Sequence, residues 1–217
     1  MRFKFKNFKI NQSALIKATT SQLRKSPQAK RKAKEILTDR AVEAKKELLN
    51  TFEEHPITKE IEAGSANTSN YSRTLQGLPN GKGSLFGFIG FAESDKPIDI
   101  VRFYLTKIGK ISATAKTTTK KNKVFFEHTV KTPDISEIEA LTPMPWEGGR
   151  SLIRGIERGI SGLGYYLLTN SKASRSGQGV QLSNQLRTAT YRPTKYMSNI
   201  IKNYVNFLRT GKSVTKR

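Results

Sequence analysis

Cysteine is absent from the 217 residues, which removes disulfides, thiol nucleophiles and Cys-based zinc sites from consideration. Histidine is nearly absent too, with two copies, and there is a single tryptophan. No apolar run approaches the roughly eighteen residues that a membrane span requires. The opening, where Arg2, Lys4, Lys6 and Lys9 alternate with Phe3, Phe5 and Phe8, has no signal-peptide pattern. A soluble, non-secreted protein with no membrane partner is therefore expected. Acidic residues are scarce as well: 17 Asp and Glu face 39 Lys and Arg, for a net charge of +22.

The distribution of that charge matters more than its size. Residues 1–50 carry fourteen Lys and Arg against four acids, residues 151–217 carry twelve against one, and residues 51–100 carry four against seven. Two basic ends flank a slightly acidic middle. Such an imbalance is relieved by a polyanion or an acidic neighbour; a solvated basic face without a specific partner is the plainer reading.

What is present begins with one long helix. Ser26 suits a cap, Pro27 suits the first helical position, and no Gly or Pro follows until Pro56. The helix predicted to Glu54 is about 42 Å long at about 1.5 Å per residue. Ala29, Ala33, Ile36, Leu37, Ala41, Ala44, Leu48 and Phe52 recur at spacings of three and four, so one broad stripe faces a core. The bulky members lie in the C-terminal half, and Lys25, Lys30, Arg31, Lys32 and Lys34 crowd the first turns. Arg40 and Glu47 project toward the stripe, where they either pair, with Glu43 nearby, or face another subunit.

Upstream, residues 1–10 read either as a short strand with a Phe face or as an arm that orders only against a partner, and Ser13 can cap a short helix to Lys25. Downstream, Ile57 to Gly83 is rich in Ser, Asn, Gly and Thr and reads as a long connection. Leu85–Phe91 is apolar on both faces and is expected as a central strand, with the long helix packed across it. Pro97 to Ile108 carries both helical spacing and alternation, and Asp95 and Pro97 at its entry favour a helix. Ile108–Thr118 and Lys123–Val130 predict a hairpin about Lys120, Lys121 and Asn122. Its tip carries Lys116, Lys120, Lys121 and Lys123, which either protect an edge or touch phosphate.

Pro133–Leu141 reads as an acidic helical turn, and Pro143-Met144-Pro145-Trp146 as a stiff apolar link anchored by Trp146. Arg150–Leu168 repeats Ile153, Ile156, Ile160, Leu163 and Leu167 at helical spacing; Gly155, Gly159 and Gly162 imply close helix packing or a break near Gly159. Ser171–Gly179 is a basic loop holding Lys172 and Arg175, Val180–Tyr191 suits a strand, and the last helix is expected to open at Pro193. These elements give an α+β fold: a small, mostly antiparallel sheet packed by the long N-terminal helix, with further C-terminal helices and extended basic arms. The expected organisation is a basic arm over 1–25 and a single domain over 26–217 with a basic tail.

Catalytic patterns are missing. His55 and His128 have no ligand spacing. Gly159-Ile160-Ser161-Gly162-Leu163 lacks the second glycine of a nucleophile elbow. Gly81-Lys82-Gly83 precedes an expected strand, not the helix that a phosphate loop needs. Glu53-Glu54 and Glu137/Glu139 read as surface acids. No enzyme, cofactor or metal is expected.

Tyr191-Arg192-Pro193-Thr194-Lys195-Tyr196-Met197-Ser198-Asn199-Ile200 resembles the proline-aromatic entry to the last helix of the tail-completion or neck proteins of tailed bacteriophages. The surrounding order is similar: a long basic helix, a Pro-containing turn at His55-Pro56-Ile57-Thr58, a loop, a Gly-rich apolar segment, a small sheet and a terminal helix. The chain departs from that family in length, in Lys59-Glu60-Ile61 where members often have a Thr-Gly pair, and in the segment Trp146–Leu168. The resemblance implies a non-enzymatic virion component at the head-to-tail junction, assembled in the bacterial host cytoplasm as a closed ring of about six or twelve copies. Portal or connector and tail proteins would be its neighbours, with packaged double-stranded DNA in the bore. Lys116, Lys120, Lys121, Lys123, Lys172 and Arg175 would meet DNA or an acidic partner. Phe3, Phe5, Phe8, Arg40, Glu47, Tyr191 and Tyr196 would line subunit interfaces. A sequence-independent nucleic-acid-binding or ribonucleoprotein-associated protein is the alternative that the charge supports.

Overall fold

The computed structural model describes residues 12–78, 81–110, 116–145, 147–159, 166–168, 180–182 and 190–212. Phe3, Phe5, Phe8, Trp146, Lys172 and Arg175, named above, lie outside them. Helix α1 spans Gln12–Lys25 and α2 spans Pro27–Glu54. Ser26 does the capping its chemistry suggests: its Oγ accepts the Ala29 amide at 3.3 Å, and Pro27 follows with no amide to satisfy.

Packing divides the chain into two units. One comprises Met1–Glu43 and Gly109–Lys131, the other Ala44–Ile108 and Thr132–Arg217. In the first, α1 packs against a hairpin of β2 (Lys116–Lys120) and β3 (Lys123–Glu127); the short strand β1, Leu75–Gln76, belongs to the second unit. Among the described residues of this first unit, only Ala41 is buried.

The second unit owns the core. Ala44, Leu48 and Phe52 of α2 meet Ile57 and Ile61 of α3 (Pro56–Glu62) and Leu85, Phe86 and Ile89 of α4 (Leu85–Ile89). Around them lie α5 (Pro97–Thr106), α6 (Ile135–Leu141), α7 (Leu152–Arg158) and α8 (Met197–Thr210). The strands are short and antiparallel, in four two-stranded ribbons: β1 with β8 (Thr190–Tyr191), β2 with β3, β4 (Pro143–Met144) with β5 (Glu147–Ser151), and β6 (Tyr166–Leu168) with β7 (Val180–Leu182). The fold is α+β with a long N-terminal helix, as the sequence implies.

Several expectations are corrected. Leu85–Ile89 is a helical turn and not a central strand: Ser84 caps it, Gly90 closes it at φ 89°, and five apolar residues surrounded by helices have no strand to pair with. Pro56 starts a helix besides ending one. His55 supplies the cap by accepting the Ile57 amide on Nδ1 at 3.2 Å, so the long connection begins only after Glu62. The helix expected to Leu168 stops at Arg158, where Gly159 takes φ 108°, and Tyr166–Leu168 pairs as a strand. Buried Gly155 provides the close packing that glycine in this helix implies. The last helix starts at Met197, four residues beyond Pro193.

Candidate interaction surfaces

The hairpin turns on Lys121 and Asn122, at φ 47° and 61°, a two-residue turn whose twist matches the strands it joins. Its register places Lys120 directly opposite Lys123. Lys120, Lys121 and Lys123 are all exposed, so the structure gathers three of the four expected tip lysines. Like charges paired across a ribbon are destabilising, a cost that an anionic surface would remove. Lys116 sits at the other end of the ribbon opposite Glu127, whose Oε1 accepts the Thr118 hydroxyl at 3.0 Å. The described residues of this unit carry fourteen Lys and Arg against four acids.

Sequence reasoning passed over α1. Leu15, Ile16 and Leu23 are 57%, 41% and 46% exposed, and Ile16 and Leu23 are seven residues apart, on one face. The helix has Lys17, Arg24 and Lys25 and no acidic residue. A helix of this length is marginal in water without packing along its apolar stripe. The heptad spacing was the available signal.

In the second unit, polar groups are spent on holding the fold. Fully buried Glu60 accepts the Ser72 amide and the Leu85 amide, each at 2.6 Å, tying the connection to the start of α4. Gly81-Lys82-Gly83 thus does precede a helix, but the first-turn amides of Leu85 and Gly87 are already taken by Glu60 and Ser84. Glu157 Oε1 accepts from Tyr196 N at 3.2 Å and Ser198 N at 2.7 Å, a cap delivered from α7 to α8. Arg102 on α5 gathers three carboxylates: Glu53 through Nε and Nη2 at 2.6 and 2.8 Å, Glu62 at 2.6 Å and Asp99 at 2.5 Å. The Arg102 hydrogen bond outweighs burial and holds the Glu53 carboxyl below its ordinary value, while Glu53 raises the guanidinium in return.

Two residues expected at subunit interfaces are engaged inside this unit. Tyr196 is fully buried, shares a 2.6 Å hydrogen bond with Thr58 Oγ1 and lies against Phe52 and His55; it is a core residue, and the sequence expectation for it is corrected. Half-buried Tyr191 donates to the Ile156 carbonyl at 2.7 Å and packs near Phe88. Burial pushes both phenols well above their ordinary value. Arg40 and Glu47 are half-buried on α2, flanking Ala41 and Leu48 in sequence.

Among the described residues no group of three His, Asp or Glu side chains is placed to hold a metal ion, and no helix is long and apolar enough to cross a membrane. Compared with known proteins, the chain matches no family model, no curated protein and no solved structure.

Proposed function

We propose that the chain is a non-enzymatic structural subunit of a ring at the head-to-tail junction of a tailed-phage virion. In this role it joins connector and tail, with portal and tail proteins as neighbours. The observation that carries an assembly role is the contrast within the chain. The basic unit leaves Leu15, Ile16, Leu23, Ile36, Val42 and Phe125 exposed and buries only Ala41 among its described residues, whereas the other unit has a continuous core. Apolar side chains on a cationic unit without a core of its own suit a protein that is completed by neighbours.

The resemblance at Tyr191–Ile200 narrows assembly to the neck. That segment is anchored at both ends, by Arg192 N to the Thr74 carbonyl at 2.7 Å and by the Glu157 cap on α8. The test is the particle size of the purified protein, alone and with a portal ring. A ring-sized oligomer, alone or on the portal, supports the reading; a monomer under both conditions rejects it.

The opposed Lys120 and Lys123 favour a second reading, sequence-independent binding to nucleic acid. Retention of duplex DNA or RNA that weakens steeply with salt, in a protein that forms no ring, would select it. No retention at low salt would remove it.

A further inference from the structure

We propose that the apolar stripe of α1 docks on the α5–α6 surface of a second copy of this chain. The inference deepens the structural-subunit reading by naming the two faces through which copies join.

The first face is α1, with Leu15, Ile16 and Leu23 exposed among Lys17, Arg24 and Lys25 and no acidic residue along the helix. The second lies on the other unit. On α5, Ile100 is 40% and Phe103 60% exposed, one turn apart, and Leu141 at the end of α6 is 40% exposed. The two helices are joined through Tyr104, whose hydroxyl donates to Glu137 Oε2 at 2.7 Å and accepts the Asp134 amide at 3.1 Å. Residues 93–107 and 132–142 hold six acids against three bases, and one of those bases, Arg102, is already committed to Glu53, Glu62 and Asp99. Glu93, Asp134 and Glu137 are exposed around the apolar side chains.

One face is therefore apolar and purely basic, the other apolar and predominantly acidic, and both belong to every copy. Apolar burial supplies the attraction, and opposite charge selects which face meets which. A self-paired α1 would set its own bases together. Because the faces differ, each copy that binds by one leaves the other open, and repetition gives a head-to-tail series, the arrangement that closes into a ring when the rotation permits.

The experiment uses the full chain in two forms. Ile16→Glu/Leu23→Glu spoils the α1 face and Ile100→Lys/Phe103→Lys spoils the α5 face; all four side chains are exposed, so melting curves should match the wild type. Sedimentation velocity at low salt should show the wild type associating with concentration and each variant associating at least about tenfold more weakly. An equimolar mixture of the two variants, each keeping one intact face, should stop at a dimer. A second measurement exploits the absence of cysteine: Leu23→Cys and Phe103→Cys, purified separately and oxidised together, should give the mixed disulfide dimer in excess over either homodimer.

Wild-type-like association of both variants, or homodimers in place of the mixed dimer, would overturn the docking. If rings then still form on the portal, the structural-subunit reading survives without it. A wild type monomeric at every concentration and on the portal overturns both. If Ile16→Glu/Leu23→Glu instead abolishes only binding to duplex DNA or anionic vesicles, α1 serves a different partner and the docking is wrong.

Discussion

The two units solve the problem of burial differently. In one, every element from the second half of α2 to α8 contributes apolar side chains to a common cluster, and the buried polar groups Glu60 and Thr58 have named partners. In the other, a helix, a half-helix and a hairpin bury almost nothing and concentrate positive charge. Stability and association are thus allotted to separate parts of the sequence, and a substitution should be readable from the unit in which it falls.

The largest effect is expected at the core. Leu48→Asp should abolish soluble folding, since a buried unpaired carboxylate costs several kcal/mol, on the order of half the stability of a typical domain. Ile36→Asp, at a position 52% exposed on the same helix, should leave the melting temperature nearly unchanged. Equal losses from both would erase the distinction. Phe88, only half-buried on α4, should be less sensitive to Asp than Phe86, which is 1% exposed.

Next comes Glu60→Ala. It strands two amides, and chemical denaturation should register a loss of about 2–4 kcal/mol. Glu60→Gln, which keeps an acceptor, should lose less.

pH sharpens the comparison further, because every resolved shift lies in the cored unit. Glu53 is held below 4.5 in the folded state, so its contribution is complete above that value and is lost as pH falls through the lowered one. Arg102→Met should flatten this acid limb at a cost near about 1 kcal/mol at neutral pH, as suits a partly exposed cluster. The phenols of Tyr104, Tyr191, Tyr196 and Tyr204 are raised from 10.0, with burial the leading cause in each. They stabilise fully below pH 10, and that contribution is lost as pH rises toward the folded values. Ultraviolet titration should therefore show late tyrosine ionisation coinciding with alkaline unfolding; ionisation without unfolding would place these rings elsewhere.

The smallest effect belongs to the hairpin. Lys120→Glu should shift stability by no more than about 0.5 kcal/mol, in the stabilising direction because it replaces a like-charge pair with an opposite one. If the tip meets DNA, the same change should lower the salt slope of binding by about one.

What could be read from the chain follows the range of the interactions involved. The long helix, the helix at Pro97 and the hairpin are specified by signals a few residues apart: Ser26-Pro27, Asp95 with Pro97, and the Lys121-Asn122 turn. The segment Leu85–Phe91 defeated the same reasoning because a short apolar run has no period of its own, and its cap depends on Glu60, 25 residues away. Tyr196 was misjudged because aromatic residues suit cores and interfaces alike, and Thr58, its partner, lies 138 residues earlier. The lysine tip was legible in composition, although only the register separates Lys116 from Lys120, Lys121 and Lys123.

The pins between α7 and the entry to α8 carry one more consequence. Tyr191 Oη and Thr194 N both reach the Ile156 carbonyl, at 2.7 and 3.1 Å, and Glu157 holds the amides of Tyr196 and Ser198. The two ends of the intervening stretch are clasped to each other by contacts that owe nothing to its contents. Evolution, or an engineer, can lengthen, trim or exchange that stretch as a cassette and leave the scaffold beneath it standing.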